Sequence, residues 1–194
     1  SVVEKTALAE AEVEYDDHKS TQVWVRFPVV TPGKPELKDS SVVIWTTTPW
    51  TLPGNRAVAF GKDMDYVLVE VVSIEEGSLA EGGQSLIVAE ALLLSVIEAA
   101  GVTEHKIVHR FKGAELAGTI CRHPFHGQGY DFEVPLVKGF HVTTETGTGF
   151  VHIAPGHGSE DFEVGREAGL EVPRTVGGDG LFYDHVPLFA GMKV

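Results

Sequence analysis

The chain has 194 residues, of which 43% are hydrophobic and 22% are charged, as is typical of one water-soluble globular domain with its own core. Its net charge of −13 repels a phosphate backbone at long range, which argues against a protein that grips a nucleic-acid duplex by itself. The absence of any apolar run near 18 residues excludes a membrane-spanning helix, and the single cysteine excludes an internal disulfide and suits a reducing cytoplasm.

The first half of the chain predicts a β-rich body. Residues 1–13 have a weak helical rhythm and are predicted to form a peripheral helix. The helical spacing of apolar residues from Ala89 to Ala100, closed by Gly101, predicts the clearest helix of the chain. Alternating hydrophobicity predicts a strand at residues 22–30, and further strands are predicted at 41–48, 56–60, 66–72 and 85–89.

The most unusual segment is residues 44–55, with the sequence IWTTTPWTLPGN. Its three adjacent threonines are β-branched, which favours an extended chain with hydroxyls on both sides, and the proline that follows ends the strand. Trp45 and Trp50 flank this row of hydroxyls and can shield it from water. The segment therefore predicts a small polar pocket at a strand end, formed by Thr46, Thr47 and Thr48.

The next part of the chain combines strands with an irregular loop. Residues 105–111, 134–138 and 140–143 are predicted to be extended, whereas 121–132 are rich in turn residues and are predicted to be irregular. The loop contains Cys121, His123 and His126, which have no partner pair at zinc-finger spacing. We therefore interpret these three side chains as loop packing rather than a metal site.

A second informative segment, residues 147–162, has the sequence GTGFVHIAPGHGSEDF. It predicts a strand at 150–153, a glycine-rich turn and a helix that begins near Ser159. Carboxylates are favoured in the first turn of a helix, and one held rigidly there can receive an ammonium group. We choose Asp161 for this role, although spacing alone does not separate it from Glu160.

Two histidines of this segment suggest a metal cluster but lack its spacing. His152 lies within an apolar strand, where a single histidine is more often a core residue, and His157 is predicted to be exposed in the glycine turn. Together with Asp161 they do not match the helical H-E-x-x-H pattern. The chain also lacks a dinucleotide fingerprint, a Walker sequence and a G-x-S-x-G elbow. The residues alone thus predict a β-rich domain with a hydroxyl-lined pocket and one ammonium-binding carboxylate.

Taken together, the two segments resemble the signatures of the editing domain of isoleucyl-tRNA synthetases, the insertion called connective polypeptide 1. WTTTPWTLPGN is similar to the threonine-rich signature of that family, and GTGFVHIAPGHGSEDF is similar to its second signature. The resemblance implies an α+β, β-rich fold, with a β-barrel core and peripheral helices, for residues 1–194 as a single editing domain. It also implies hydrolysis of valine wrongly attached to isoleucine tRNA, and of valyl adenylate as a further substrate.

The resemblance further implies a role for each matching residue. Asp161 corresponds to the aspartate that binds the α-ammonium of the valine, and His152 to the histidine that bounds the side-chain pocket and excludes isoleucine. Thr46, Thr47 and Thr48 correspond to the threonines that hold substrate and water. The other matching positions, which bind substrate or shape the site, are Trp45, Trp50, Thr51 and Asn55.

The expected partners are the 3′ acceptor end of isoleucine tRNA and the rest of the synthetase in cis, with no membrane and no DNA, in a cytoplasmic monomer. No cofactor and no metal is expected in this domain, because the resemblance assigns ATP and Mg to a synthetic site elsewhere in the full-length enzyme. A positioned water is expected to attack the ester without a covalent intermediate. Three alternatives remain: a free-standing trans deacylase, a module that binds an amino acid or nucleoside without chemistry, and a metallohydrolase.

Overall fold

The computed structural model describes residues 21–194, and the helix predicted at residues 1–13 lies outside the described residues. Within 21–194, the regular structure consists of nine strands and two α-helices with short 3₁₀ helices between them. The α-helices are α1 (Leu93–Ala99) and α2 (Ser159–Glu167). The β-rich α+β class expected from the sequence is confirmed. The strands are β1 (Val23–Thr31), β2 (Ser41–Thr46), β3 (Ala57–Phe60), β4 (Asp65–Ile74), β5 (Ser85–Ala89), β6 (Val102–Lys112), β7 (Ile120–Arg122), β8 (Glu133–Lys138) and β9 (Phe150–Ile153).

All nine strands belong to one mixed sheet with the order β6-β4-β5-β2-β1-β7-β8-β3-β9. The pairs β2/β5 and β3/β8 are parallel, and the other neighbours are antiparallel. β1 joins the two halves of the sheet, because its residues 23–28 pair with β2, whereas Val29 and Thr31 pair with β7, with a shift of register between them. No helix among the described residues is long and apolar enough to cross a lipid bilayer.

The sheet is not closed into the expected barrel: among the described residues, its end strands β6 and β9 do not pair with each other. It curls instead, so that the start of β9 meets β4 and β5. The backbone N–H of Ala89 donates to the carbonyl of Thr148 at 2.8 Å, and the Tyr66 hydroxyl donates to the carbonyl of Gly149 at 2.7 Å. Gly147 and Gly149 have φ angles of +84° and +80°, which a strand cannot continue, so pairing stops there.

Strand β3 is buried on both faces, and this places β9 between two apolar clusters. Val58 and Phe60 of β3 belong to the main core, whereas Ala57 and Ala59 alternate to the other face and pack with Ile153 and Val164. Val164 lies on α2, so this helix covers β3 and β9. In β9 the alternation directs His152 and Phe150 to the opposite face from Ile153.

Two predictions of local structure outside the motif segments were wrong. Cys121 was expected in an irregular loop but lies in β7, where it pairs with Val29 of β1 and Val134 of β8, because its apolar side chain is fully buried there. Residues 140–143 were expected to be extended but begin with a turn. The N–H of Gly139 donates to the carbonyl of Phe60 at 3.0 Å, which ends the pairing of β8 with β3 at this point.

Candidate functional site

The threonine segment lies where β2 leaves the sheet. β2 ends at Thr46, two residues earlier than expected, because the Thr46 hydroxyl accepts a hydrogen bond from the backbone N–H of Thr48 at 3.0 Å. A 3₁₀ helix, Pro49–Gly54, follows. Thr46 and Thr48 are half-buried and Thr47 is exposed, so Thr47 is the one of the three that presents its side chain to solvent.

Thr51 and Asn55 face the interior of the fold. Thr51 is 6% exposed, and its hydroxyl donates to the carbonyl of Thr48 at 2.8 Å. Asn55 is fully buried, and its amide N–H donates to the carbonyl of Ala57 at 2.8 Å. A direct contact between Asn55 and a substrate would therefore require the segment to move, and the geometry supports a role in shaping the segment instead.

His152 connects the two motif segments. Its Nε2 lies 3.1 Å from the Thr51 hydroxyl oxygen, although the two residues are 101 positions apart in the sequence. The side chain is almost fully buried, at 8% exposure, which fits its place on the inward face of β9. The threonine segment and the strand of the second motif are thus in direct contact.

Asp161 lies in the first turn of α2, whose N-cap is Gly158. Its Oδ2 accepts a hydrogen bond at 2.8 Å from the backbone N–H of Ala154, the residue that follows β9. Burial raises the pKa of Asp161 above its ordinary value, and the Ala154 N–H opposes this rise. Glu160, which the sequence did not separate from Asp161, is exposed. Asp161 is thus the carboxylate of this turn that packs against the end of β9.

His157 is not exposed as expected but is half-buried between the two segments. Its Nε2 lies 2.5 Å from the hydroxyl oxygen of Thr175, and its ring meets Trp50 edge-on at 5.2 Å between centroids. Gly54 approaches it so closely that an added Cβ would lie 2.9 Å from His157 Cδ2. The glycine-rich turn of the second motif therefore packs against the 3₁₀ helix of the first.

Three histidines beneath the 3₁₀ helix are held in the neutral form. Burial lowers the pKa of His152 to about 4, with the nearby His123 and His157 adding to the effect. Burial also lowers the pKa of His123 to about 4, although its contact with the carbonyl of Leu52 opposes this change. The pKa of His157 is lowered for the same reason. The imidazoles near Thr51 are therefore uncharged hydrogen-bonding groups at neutral pH.

The two tryptophans occupy different surroundings. Trp45 pairs across the sheet with Trp24 of β1 and is half-buried, and its ring lies close to Gly147 at the start of the second motif. Trp50 is 37% exposed and forms part of the surface above His157. Trp45 thus supports the turn before β9, and Trp50 is the indole that remains accessible.

Two cavities adjoin the contact between Trp50 and His157. An apolar cavity of about 530 Å³ is lined by Trp50, Trp24, Phe125 and neighbouring aromatic residues. A larger cavity of about 650 Å³ is lined by His157, the glycine-rich turn and residues 172–176. Thr47 and Asp161 line neither of them. A cavity shared by Thr47 and Asp161 stays a prediction, and their segments are linked by the contacts of His152 with Thr51 and of His157 with Trp50.

The two histidines of the loop trio are each engaged with a protein group, and Cys121 is buried in β7. In the loop trio, the Nδ1 of His123 accepts from the N–H of Phe125 and its Nε2 contacts the carbonyl of Leu52, both at 3.1 Å. His126 pairs with Asp131 at 3.2 Å. Across residues 21–194, no group of three His, Cys, Asp or Glu side chains has the arrangement of a metal site.

One histidine near Asp161 was missed by the sequence analysis. Both ring nitrogens of His141 are buried and have no hydrogen-bond partner among the described residues. Its proximity opposes the rise that burial causes in the pKa of Asp161. His141 lies 20 positions before Asp161 in a segment that was expected to be extended, and no local pattern relates the two residues.

This end of the fold offers three kinds of groups for chemistry. It has one exposed threonine hydroxyl, one partly buried carboxylate at the start of a helix, and a neutral histidine that joins the two motif segments. Such a set can bind an ammonium group, orient a small polar molecule and limit the size of a neighbouring apolar group.

No protein-family model matches the chain. Individual relatives match it along its whole length. It is 49% identical over 205 residues to the isoleucine–tRNA ligase of Bradyrhizobium diazoefficiens, 45% over 194 residues to that of Pelagibacter ubique and 46% over 196 residues to that of Gluconobacter oxydans. These alignments cover 100% of the chain and 20%, 21% and 20% of the relatives. The chain thus spans about a fifth of the length of the curated relatives it matches.

Solved structures share the fold at low sequence identity. The crystal structure of GlLeuRS-CP1 has a TM-score of 0.57 and 12% identity, and the alignment covers 78% of this chain and 66% of that one. The editing domain of the Plasmodium (P. knowlesi) cytosolic leucyl-tRNA synthetase has a TM-score of 0.55 and 12% identity, with 78% and 64% covered. The likeness to these two structures is a likeness of fold.

Proposed function

The chain belongs to the isoleucine–tRNA ligase family, in which it represents a region with the fold of synthetase editing domains, and we propose that it hydrolyses valine wrongly attached to isoleucine tRNA. Valyl adenylate is a second proposed substrate. The rest of the ligase acts in cis, and the 3′ end of the charged tRNA is the partner that reaches this domain.

The need for such an activity follows from the energetics of binding. One methylene in an apolar pocket changes binding by only about 1–3 kcal/mol. Isoleucyl-tRNA synthetases are the standard worked example of this limit, with discrimination between isoleucine and valine of about 150-fold at the synthetic site. A second site that is too small for isoleucine removes the errors that pass the first one.

The observation that carries the proposal is the contact between the two motif segments. Thr51 of the threonine segment and His152 of β9 lie 3.1 Å apart, and Asp161 is tied by its hydrogen bond to the residue that follows β9. This arrangement supports a site that receives one substrate from both segments. Homology over the full length of the chain supports the same reading.

In the proposed reaction each side chain has a defined task. Asp161 receives the α-ammonium group, because a partly buried carboxylate forms a charge-assisted hydrogen bond to it. His152 limits the length of the amino-acid side chain. Hydroxyls and backbone groups of Thr46, Thr47 and Thr48 orient the attacking water and stabilise the oxyanion. An ester is already activated, so the proposal needs no covalent enzyme intermediate.

The remaining expectations for the domain are part of the same proposal. Residues 1–194 form one editing domain of a monomeric, cytoplasmic ligase. ATP and Mg serve a synthetic site elsewhere in the ligase, and no cofactor is assigned to this domain. Trp45 and Trp50 shape the walls of the site, and Thr51 and Asn55 hold the threonine segment in place.

The test uses the ligase of Bradyrhizobium diazoefficiens, with the region homologous to this chain either removed or replaced by it. We expect valyl-tRNA to accumulate with the shortened ligase and not with the chimera. If valyl-tRNA accumulated with both the shortened ligase and the chimera, the chain would be a module that binds its ligand without hydrolysing it. Hydrolysis by the isolated chain at the same rate as by the chimera would favour the trans deacylase, and loss of activity with a strong chelator would favour the metallohydrolase.

A further inference from the structure

The hydroxyl of Thr51 stands between two partners from different parts of the fold. Its oxygen lies 2.8 Å from the carbonyl oxygen of Thr48 and 3.1 Å from Nε2 of His152. Thr51 is 6% exposed and His152 is 8% exposed, so water does not compete freely for either contact. The two distances together determine where the protons are.

A carbonyl oxygen only accepts hydrogen bonds, and a hydroxyl has a single proton to donate. Two oxygens 2.8 Å apart need a proton between them, so the Thr51 hydroxyl donates to the Thr48 carbonyl. The hydroxyl can then only accept from His152, which requires a proton on Nε2. In a neutral imidazole, Nδ1 is left as an unprotonated acceptor.

The surroundings of His152 Nδ1 support this assignment, because no acceptor near Nδ1 could receive a hydrogen bond from a proton on that nitrogen. It is buried and has no hydrogen-bond partner among residues 21–194. If Nδ1 carried the proton, a buried N–H would be unpaired and Nε2 would face the Thr51 oxygen without a proton between them. The alternative tautomer is less stable by about 1 kcal/mol, because it lacks this hydrogen bond.

We propose that Thr51 is a positioning residue that fixes His152 as its Nε2–H tautomer and in one ring orientation, rather than a residue that contacts the substrate. The hydroxyl of Thr51 has no proton left to offer a ligand. The bond to the Thr48 carbonyl also holds the bend after β2, so one side chain sets both the threonine segment and the histidine. For the proposed editing function, on which this consequence rests, the side-chain pocket then has a wall of fixed shape and polarity.

The tautomer is measured by NMR on the 194-residue chain labelled with ¹⁵N-histidine, where the two ring nitrogens report which one carries the proton. The His152→Gln variant identifies the signals of His152 by their loss. We expect the proton on Nε2 at neutral pH. A proton on Nδ1 in the unaltered chain overturns the proposal without any further variant.

The variants test whether Thr51 is the cause. Thr51→Val keeps the shape but removes the hydroxyl, and it should move the tautomer ratio of His152 by about fivefold towards the Nδ1–H form, since about 1 kcal/mol is lost. Thr51→Ser should restore the ratio of the unaltered chain. Thr103→Val is a matched control, because Thr103 is exposed on β6. If the His152 signals of Thr51→Val are identical to those of the unaltered chain, the proposal is overturned. If Thr51→Val does not fold, the proposal is judged from the tautomer of His152 in the unaltered chain and in Thr51→Ser.

The link to the reaction has its own readout. Thr51→Val should raise the rate of isoleucyl-tRNA hydrolysis relative to valyl-tRNA hydrolysis by about fivefold, and Thr51→Ser should not. If Thr51→Val shifted the tautomer ratio of His152 but left the ratio of the two hydrolysis rates unchanged, Thr51 would have no positioning role in the reaction. A chimeric ligase that carries the unaltered chain and hydrolyses neither ester would contradict the proposed function and leave the tautomer result intact.

Discussion

The carboxylate of Asp161 and the backbone N–H of Ala154 form a hydrogen bond of 2.8 Å. Ala154 follows β9 directly and Asp161 lies in the first turn of α2, so this bond closes the glycine-rich turn between them. Asp161 thus has a structural contact in addition to its proposed contact with the substrate. The two roles are separable because an asparagine keeps an acceptor oxygen but not the charge.

We predict that Asp161→Asn keeps the stability of the chain within about 1 kcal/mol but slows valyl-tRNA hydrolysis by roughly 10- to 100-fold, because it removes a charged partner of the ammonium group. Asp161→Ala should also lose stability, since the Ala154 N–H loses its partner. Urea denaturation and a deacylation assay separate the two effects. Glu160→Gln is the control and should change neither quantity. Full hydrolysis by Asp161→Asn would remove Asp161 from the reaction.

Thr47 offers a cleaner test of the threonine segment because its side chain is exposed. Thr47→Ala should leave the free energy of unfolding within about 0.5 kcal/mol of that of the unaltered chain. If the Thr47 hydroxyl orients water, Thr47→Ala should lower the rate of valyl-tRNA hydrolysis more than it lowers the affinity for valyl-tRNA. Single-turnover kinetics with varied enzyme concentration distinguish the two. A change confined to binding would assign Thr47 to substrate contact instead.

The buried histidines predict an unusual acid sensitivity. His123 and His152 have pKa values of about 4 in the folded chain, against about 6.5 when unfolded. Well above pH 6.5 both are neutral in either state, whereas near and below pH 6.5 the unfolded chain takes up protons that the folded chain does not. Stability is therefore lost as the pH falls from about 6.5 towards 4, by about 1–2 kcal/mol per histidine between pH 7 and 5.

Urea unfolding at pH 7, 6 and 5 measures this loss. His152→Gln should make the stability depend less on pH, because it removes one of the two buried imidazoles. Equal free energies of unfolding at pH 7 and pH 5 in the unaltered chain would contradict the burial of these imidazoles.

Gly149 is predicted to tolerate no side chain. Its φ of +80° is strained for other residues, and an added Cβ would lie 2.2 Å from the Cβ of Ala89. Gly149→Ala should cost more than about 2 kcal/mol of stability. Gly169→Ala is the matched control, since Gly169 also has a positive φ but has open space around its Cα, so it should cost only about 1 kcal/mol. Equal losses for the two variants would show that the turn before β9 is not packed tightly against β5.

The parts of the fold that follow from local pattern were predicted well. Ser85–Ala89 and Phe150–Ile153 form strands with the predicted bounds, because each is a short, mostly apolar run close to turn residues. Cys121 was misplaced because its strand exists only through pairing with β1 and β8, which no local pattern reveals. The open sheet was missed for a similar reason, since the pairing of β6 and β9 with other strands is a tertiary feature that no local pattern reveals.

In the candidate site, too, local features were predicted from the sequence and tertiary contacts were not. The two motifs and the place of Asp161 at a helix start are visible in the sequence, because capping and spacing are local. The contact between Thr51 and His152, the ring packing of Trp50 on His157 and the bond from Ala154 to Asp161 all join distant or folded-back segments. Such contacts depend on the tertiary fold, so the sequence indicated candidate site residues but not the contacts between them.

The central claim is tested most directly by the rates at which the chimeric ligase hydrolyses valyl-tRNA and isoleucyl-tRNA, with both amino acids attached to isoleucine tRNA. We expect the valine ester to be hydrolysed at least 100-fold faster, on the order needed to complement the limit set by one methylene. Equal rates for the two esters, or no hydrolysis of the valine ester, would contradict the assignment of this domain to editing.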